Sequence, residues 1–184
     1  MDFPAVTPQQ ILVRLREDFY RAVPLKYQTY CVLTAHICQR ALRHFGIPSD
    51  VVPCQLWWSA ADSNFVVGFH DRIRAEQWNG HVICMGKGWL IDAAVHHIQK
   101  STGAAVPNIV VAKTFDIASN ALSRCIVNDA SLWWHRPPPD VEIKVPKEPE
   151  ELIVRYADEL VATMQSGLRA EARNTVMPTT HLQS

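Results

Sequence analysis

Three side chains in the first half of the sequence are of the types that together carry out acyl transfer: Cys31, His81 and Asp92. Cys31 opens a predicted helix, so its thiol is expected at the positive end of the helix dipole, which favours a thiolate. The unpaired N–H groups at that end would also suit an oxyanion. A buried structural cysteine at the start of a core helix would look similar, so Cys31 alone indicates no function.

His81 and Asp92 are placed together by a predicted hairpin. If Gly86-Lys87 is a two-residue turn of type II′, His81 lies directly opposite Asp92, with Cβ atoms about 4.5–5.5 Å apart. A carboxylate on one imidazole nitrogen fixes the tautomer and leaves the other nitrogen to take a proton from a thiol. The alternative is a polar pair on a solvated face. A cysteine at a helix start in the same domain favours the catalytic interpretation.

The elements that would position these residues begin with two helices. Thr7 and Gln10 form a capping box around Pro8, and apolar residues then recur at helical spacing to about Val23. A second helix is predicted from Cys31 to Phe45. Its wide apolar face indicates burial, and Gly46 is typical of the position after a helix C-terminus.

Strands follow the helices, so the sequence predicts one α+β domain over residues 1–172. The strands are predicted at 51–58, 64–69, 81–85, 88–93, 108–111 and 125–127, with a mixed or helical connection at 114–124. An extended proline-rich segment is expected at 136–149, a last amphipathic helix at 150–172, and a loose, flexible tail at 173–184.

The order of these motifs resembles the transglutaminase-like branch of the papain-like cysteine enzymes. The matching pieces are Cys31-Val32-Leu33, Gly46-Ile47-Pro48, Val51-Val52, His81-Val82 and Gly88-Trp89-Leu90-Ile91-Asp92, within residues 27–95. The resemblance implies a papain-like/transglutaminase-like fold, with N-terminal helices and the nucleophile at the start of a central helix packed on an antiparallel sheet. It also implies Cys31 as nucleophile, His81 as general base and acid, and Asp92 as orienter. The chain departs from the family pattern at Ile83, where an aromatic residue is common, and after Asp92, where Ala93-Ala94-Val95 stands instead of an early proline.

Further site residues are weaker candidates. Gln28 could donate its amide to an oxyanion, as an upstream glutamine does in papain-like enzymes. The pairs Trp57-Trp58 and Trp133-Trp134 could line a substrate groove, although paired tryptophans are more often divided between core and surface. Trp78, near His81 in the sequence, is a slightly better groove candidate. His96-His97 has no third ligand at a convincing spacing, and neighbours on a strand would face opposite ways, so no metal is expected.

The expected activity is acyl chemistry through a thioester on Cys31, with a protein, peptide or amide as substrate and no cofactor. The triad does not separate a peptide or amide hydrolase from a transglutaminase-like transferase. One alternative is a catalytically silent transglutaminase-like domain that binds a protein or peptide. Another is an arylamine-acetyltransferase-like acyltransferase, which has the same triad order.

Composition limits the remaining classes. Eighteen basic and eighteen acidic residues give no net charge, so neither nucleic acid nor an anionic membrane is an expected partner. The start of the sequence lacks the features of a secretory signal, and no apolar run is long enough for a membrane span, so a cytoplasmic protein is expected. The five cysteines are irregularly spaced and predict no disulfide framework. The oligomeric state does not follow from the sequence.

Overall fold

The computed structural model describes residues 6–61, 63–69, 79–116 and 119–176, with side chains as far as Arg173. The helices in these ranges are α1 (Pro8–Ala22), α2 (Cys31–His44), α3 (His96–Thr102) and α4 (Glu150–Val176), with a 3-10 turn at Leu25–Tyr27. The strands are β1 (Asp50–Ala60), β2 (Ser63–Val67), β3 (His81–Gly86), β4 (Trp89–Asp92), β5 (Val110–Lys113), β6 (Ala121–Val127) and β7 (Ala130–His135). The protein is therefore a mixed helix and sheet structure, and the α+β prediction is confirmed at that level.

The described strands form one antiparallel sheet in the order β5-β4-β3-β1-β7-β6. The long strand β1 lies at its centre: its first half pairs with β3, and its second half pairs with both β2 and β7. A bridge between Thr114 and Ser123 joins the chain beyond β5 to β6. The two ends of the sheet thus come together, and the sheet is nearly closed.

The helix α2 packs on β3 and β4, and α4 packs against both α1 and α2. A capping box at Thr7 and Gln10 begins α1, as predicted. The largest apolar cluster joins α1, α2 and α4 through fully buried side chains such as Leu15, Ile37 and Leu160. Removing this apolar surface from water is the main stabilising contribution to the arrangement. The buried start of α2 is thereby fixed against β3.

The hairpin between β3 and β4 differs from the prediction in its turn. Lys87 and Gly88 are the central residues, with φ of 46° and 77°, and Gly86 pairs with Trp89. Positive φ at both central positions is characteristic of a type I′ turn, so the predicted type II′ turn at Gly86-Lys87 was wrong. Gly86 is needed for another reason, because a Cβ there would lie 2.8 Å from the carbonyl oxygen of Pro48.

Other boundaries also move. Residues 121–124 belong to β6 rather than to a helical connection, and neither β7 nor α3 was predicted. The last helix continues to Val176, so residues 173–176 are not part of a loose tail. The rest of the predicted tail, 177–184, lies outside the described residues. Within the described ranges, no helix has the length and apolarity needed to cross a membrane.

Candidate active site

Cys31 is the first residue of α2, as the sequence predicted. Tyr30 precedes it and, among the described residues, provides no side-chain hydrogen bond that caps the helix. The first intrahelical bond runs from the Thr34 N–H to the Tyr30 carbonyl, 3.0 Å away. Because the first N–H groups of a helix have no partner inside it, the positive end of α2 is available to an anion beside the thiol. The Cys31 residue is 6% exposed.

His81 begins β3 and Asp92 ends β4, and their side chains are in contact. His81 Nε2 donates to Asp92 Oδ2 over 2.7 Å, and both side chains are fully buried. The predicted register, with the two residues directly opposite, is wrong by two positions, because Cys84 pairs with Ile91. A shift of two keeps both side chains on the same face of the sheet. The residues are therefore diagonal neighbours that still reach each other.

The Asp92 carboxylate receives two further hydrogen bonds. Trp134 Nε1 donates to Oδ2 over 2.7 Å, and the Ala94 N–H donates to Oδ1 over 2.9 Å. Trp134 is fully buried in β7, and its hydrogen bond to Asp92 was not predicted from the sequence. The available signal was that a buried tryptophan usually finds a hydrogen-bond partner for its N–H.

His97 joins the site from the first turn of α3. One donor atom each from Cys31, His81 and His97 lie within 4.8 Å of one another, and the two imidazole rings are nearly perpendicular with centroids 6.1 Å apart. Sequence reasoning treated His96-His97 as strand residues and excluded both. In a helix, neighbouring side chains are about 100° apart, so His97 can face Cys31 while His96 faces elsewhere.

The two ring nitrogens of His81 have different environments. Among the described residues, Nδ1 is buried and has no hydrogen-bond partner, while Nε2 is held by Asp92. A neutral imidazole with Nε2–H on the carboxylate carries its lone pair on Nδ1. When it is neutral, the ring thus offers a proton acceptor to the Cys31 thiol, and taking that proton makes it an imidazolium.

The surroundings of Cys31 favour its thiolate form. Burial raises the pKa of the thiol, but interactions with His81 and His97, and the backbone of Val82, outweigh burial and lower the pKa to about 6. A cysteine with such a pKa is mainly thiolate at neutral pH, and the thiolate is the nucleophilic form.

The ionised forms of His81 and Asp92 stabilise each other. Burial lowers the pKa of His81, but the Asp92 carboxylate and the Cys31 thiolate together raise it to about 10. Burial raises the pKa of Asp92, while His81, Trp134 and the Ala94 N–H hold it below its usual value. The site therefore favours a thiolate and an imidazolium, with the carboxylate ionised behind the imidazolium.

The other four cysteines lack this environment. Cys38 and Cys54 are fully buried and burial raises the pKa of both well above the usual value. Burial also raises the pKa of Cys84 to about 12 and that of the partly exposed Cys125 to about 11. All five cysteines are free thiols, so Cys31 alone combines a depressed pKa with neighbouring histidines.

The structure describes two of the remaining predicted site residues, Gln28 and Trp58. Gln28 donates its amide to Asn108 Oδ1 over 3.0 Å and lines a cavity of about 260 Å³ beside α3, and its oxyanion role stays a prediction. Trp58 is buried in an apolar cluster with Leu132 and Trp134, so its assignment to a groove was wrong. Its strand alternates between faces, and the neighbouring Trp57 is the exposed one. Trp78 lies outside the described residues.

Comparisons with known proteins identify no family. No family model and no curated protein matches the chain. A solved structure described as that of a genomics target is 15% identical, with 100% of this chain and 86% of that chain covered and a TM-score of 0.38. A likeness at this level carries no argument about fold or function, so any functional conclusion depends on the site itself.

Proposed function

We propose that this protein is a cysteine-dependent acyl-transfer enzyme with Cys31 as nucleophile, His81 as general acid and base, and Asp92 as the group that orients His81. The observation that carries the proposal is that Asp92 holds His81 Nε2 over 2.7 Å and leaves the buried Nδ1 without a hydrogen-bond partner among the described residues. Cys31 belongs to the same group of neighbouring donor atoms. Nucleophile, base and orienter are the three parts that covalent acyl catalysis requires. The papain-like/transglutaminase-like fold is part of the same proposal.

In the first half of the reaction, the Cys31 thiolate attacks the carbonyl carbon of an amide or ester. The oxyanion of the tetrahedral intermediate is stabilised by the free N–H groups at the start of α2. When the intermediate collapses, the carbon–nitrogen or carbon–oxygen bond breaks and His81 gives its proton to the leaving group. The acyl group remains on Cys31 as a thioester.

In the second half, His81 is neutral and accepts a proton from water or an amine as that nucleophile attacks the thioester. The carbon–sulfur bond then breaks, the thiolate is restored, and the histidine is again protonated. Water gives hydrolysis and an amine gives transfer. The substrate class is a protein, peptide or other amide, and the expected location remains the cytoplasm.

Selective alkylation tests the proposal. We expect Cys31 to react with iodoacetamide near neutral pH faster than the other four cysteines, because it alone has a depressed pKa. A brief reaction followed by peptide mass spectrometry measures labelling at each cysteine. His81→Ala should slow labelling of Cys31, and Cys31→Ser should remove the fast-reacting site.

Two results would reject the enzyme proposal together. They are labelling of Cys31 no faster than that of Cys125, and no effect of His81→Ala on the rate. A domain that binds a protein or peptide without catalysis would then be the better explanation, because binding does not require an acidic thiol.

A further inference from the structure

His97 has no part in the acyl-transfer scheme, yet it contributes a third donor atom to the group formed with Cys31 and His81. Thiolate sulfur and imidazole nitrogen are the ligands that zinc prefers, whereas magnesium and calcium prefer oxygen ligands. The three atoms come from α2, β3 and α3, so they converge from separate elements rather than lie along one strand.

The spacing of the donors is near what zinc requires. Tetrahedral zinc with Zn–S near 2.3 Å and Zn–N near 2.0 Å holds its ligand atoms about 3.3–3.6 Å apart. Here the three atoms lie within 4.8 Å of one another. His97 is only partly buried, so rotation of its side chain can shorten the remaining distance without disturbing the core.

His81 is oriented as a ligand, and its Nδ1 can bind a metal ion once it has given up its proton. Its Nδ1 is fully buried and has no partner among the residues that the structure describes, and its Nε2 donates to Asp92. Metal-binding histidines commonly donate their second ring N–H to a carboxylate, which fixes the ring and makes the ligating nitrogen more basic. Asp92 in turn is held by Trp134 and the Ala94 N–H.

We propose that Cys31, His81 and His97 form a zinc site, and that bound Zn²⁺ holds the protein in an inactive state. Three protein ligands leave a fourth position on a tetrahedral ion for water or another small ligand. Metal binding itself depends only on the three donors. The inhibition rests on the proposed function, because it follows from occupying the nucleophile and the nitrogen that would take its proton.

Calorimetric titration of the full chain with ZnCl₂, after treatment with a chelator, tests the site. We expect one equivalent of Zn²⁺ to bind, and Cys31→Ser and His97→Gln each to weaken binding by about 100-fold or more. Asp92→Asn should weaken it about 10- to 100-fold through His81. His96→Gln is the matched control and should bind as the parent does, because His96 neighbours His97 but is not in the donor group.

Co²⁺ gives a second readout that does not depend on activity. Binding at the site should produce a thiolate-to-cobalt charge-transfer band that is absent in Cys31→Ser, and circular dichroism should show that each variant is folded. Absence of Zn²⁺ binding, or binding that both Cys31→Ser and His97→Gln leave unchanged, overturns the site.

Iodoacetamide labelling separates this proposal from the acyl-transfer proposal. Zn²⁺ should slow alkylation of Cys31 at least tenfold when it is near saturation, and a chelator should restore the rate. Zn²⁺ binding that is weakened by Cys31→Ser and His97→Gln, together with slow alkylation of Cys31 in the metal-free protein, would support the zinc site and reject the acyl-transfer proposal. Fast alkylation of Cys31 without Zn²⁺ binding would reject the zinc site and support the acyl-transfer proposal.

Discussion

Among the residues that the structure describes, two carboxylates are buried in different ways, one on α1 and one on β4. Asp18 is fully buried and pairs with Arg14 over 2.5 Å and with Arg21 over 3.1 Å. Asp92 is equally buried but accepts hydrogen bonds from a histidine, a tryptophan and a backbone N–H. Both carboxylates are compensated, as buried charges must be. The groups that compensate them differ in what they can do next.

Each network leaves one buried nitrogen without a partner among the described residues: Arg14 Nε in the first and His81 Nδ1 in the second. A guanidinium nitrogen has no lone pair to offer, so Arg14 can neither accept a proton nor bind a metal. An imidazole nitrogen can do both. A buried carboxylate therefore does not by itself indicate a reactive site. A reactive site also needs a proton acceptor that the carboxylate orients.

Replacing the histidine of the Asp92 network should have the largest effect, and that effect should be on the reactivity of Cys31. His81→Gln keeps a polar side chain but removes the titratable nitrogen, so acylation of Cys31 by an activated ester such as p-nitrophenyl acetate should slow by about two to four orders of magnitude. Stopped-flow release of p-nitrophenol measures the rate. His96→Gln is the control and should acylate at the parent rate. A His81→Gln protein that acylates within threefold of the parent would show that His81 is not the base.

Breaking the Asp18 network should affect stability and leave reactivity alone. Asp18→Asn removes the charge between Arg14 and Arg21, and loss of one partner of a buried ion pair costs about 3 kcal/mol. Urea denaturation followed by circular dichroism measures the free energy of unfolding. The rate of Cys31 alkylation in the folded variant should equal that of the parent. A slower rate would mean that the two networks are coupled and that the comparison fails.

Much of the helical structure could be predicted because its signals are local. The capping box at Thr7 and the apolar face of α2 depend on residues within a few turns of one another. The missed helix α3 has seven residues, which is too short for a clear apolar period. Its best signal was Gly103, which ends the helix in the left-handed region with φ of 75°.

The contact between His81 and Asp92 could be predicted because it does not require the exact register of the hairpin. A shift of two residues in the β3–β4 register leaves His81 and Asp92 on one face of the sheet. The predicted contact is therefore present although the predicted turn was wrong. Trp134 and His97 were not predicted because they come from β7 and α3. The sequence gives no spacing rule that brings these elements to Asp92 and Cys31, since tertiary packing decides their position.

The pH dependence of Cys31 alkylation tests whether the thiol is ionised at neutral pH. Because interactions with the histidines lower the pKa of Cys31 to about 6, its thiolate predominates above that pH and is lost below it. The alkylation rate should therefore fall about tenfold between pH 7 and pH 5. Cys125, with a pKa raised to about 11, is an internal control whose slow labelling should still be rising above pH 8. A midpoint for Cys31 near 9 would contradict the thiolate–imidazolium pair.

The smallest expected effect concerns Trp134, whose N–H supports Asp92 from behind. Trp134→Phe keeps a large aromatic ring in the core but removes the hydrogen bond to Asp92 Oδ2. Loss of a hydrogen bond to a buried charge costs about 1.5–3 kcal/mol, and urea denaturation should show a loss of stability in that range. The pKa of Asp92 should rise, because Trp134 is one of the groups that hold it down.

Trp133→Phe is the matched control for this change. Trp133 is only partly buried and stacks beneath Arg124, whose guanidinium carbon lies 4.7 Å from the ring centroid. Its replacement should cost at most about 1 kcal/mol, as expected for an exposed cation–π contact. If Trp134 serves the site as well as the core, only Trp134→Phe should shift the pH midpoint of Cys31 alkylation, because Trp134 donates to the carboxylate that holds His81. Equal midpoints in the two variants would limit Trp134 to a structural role.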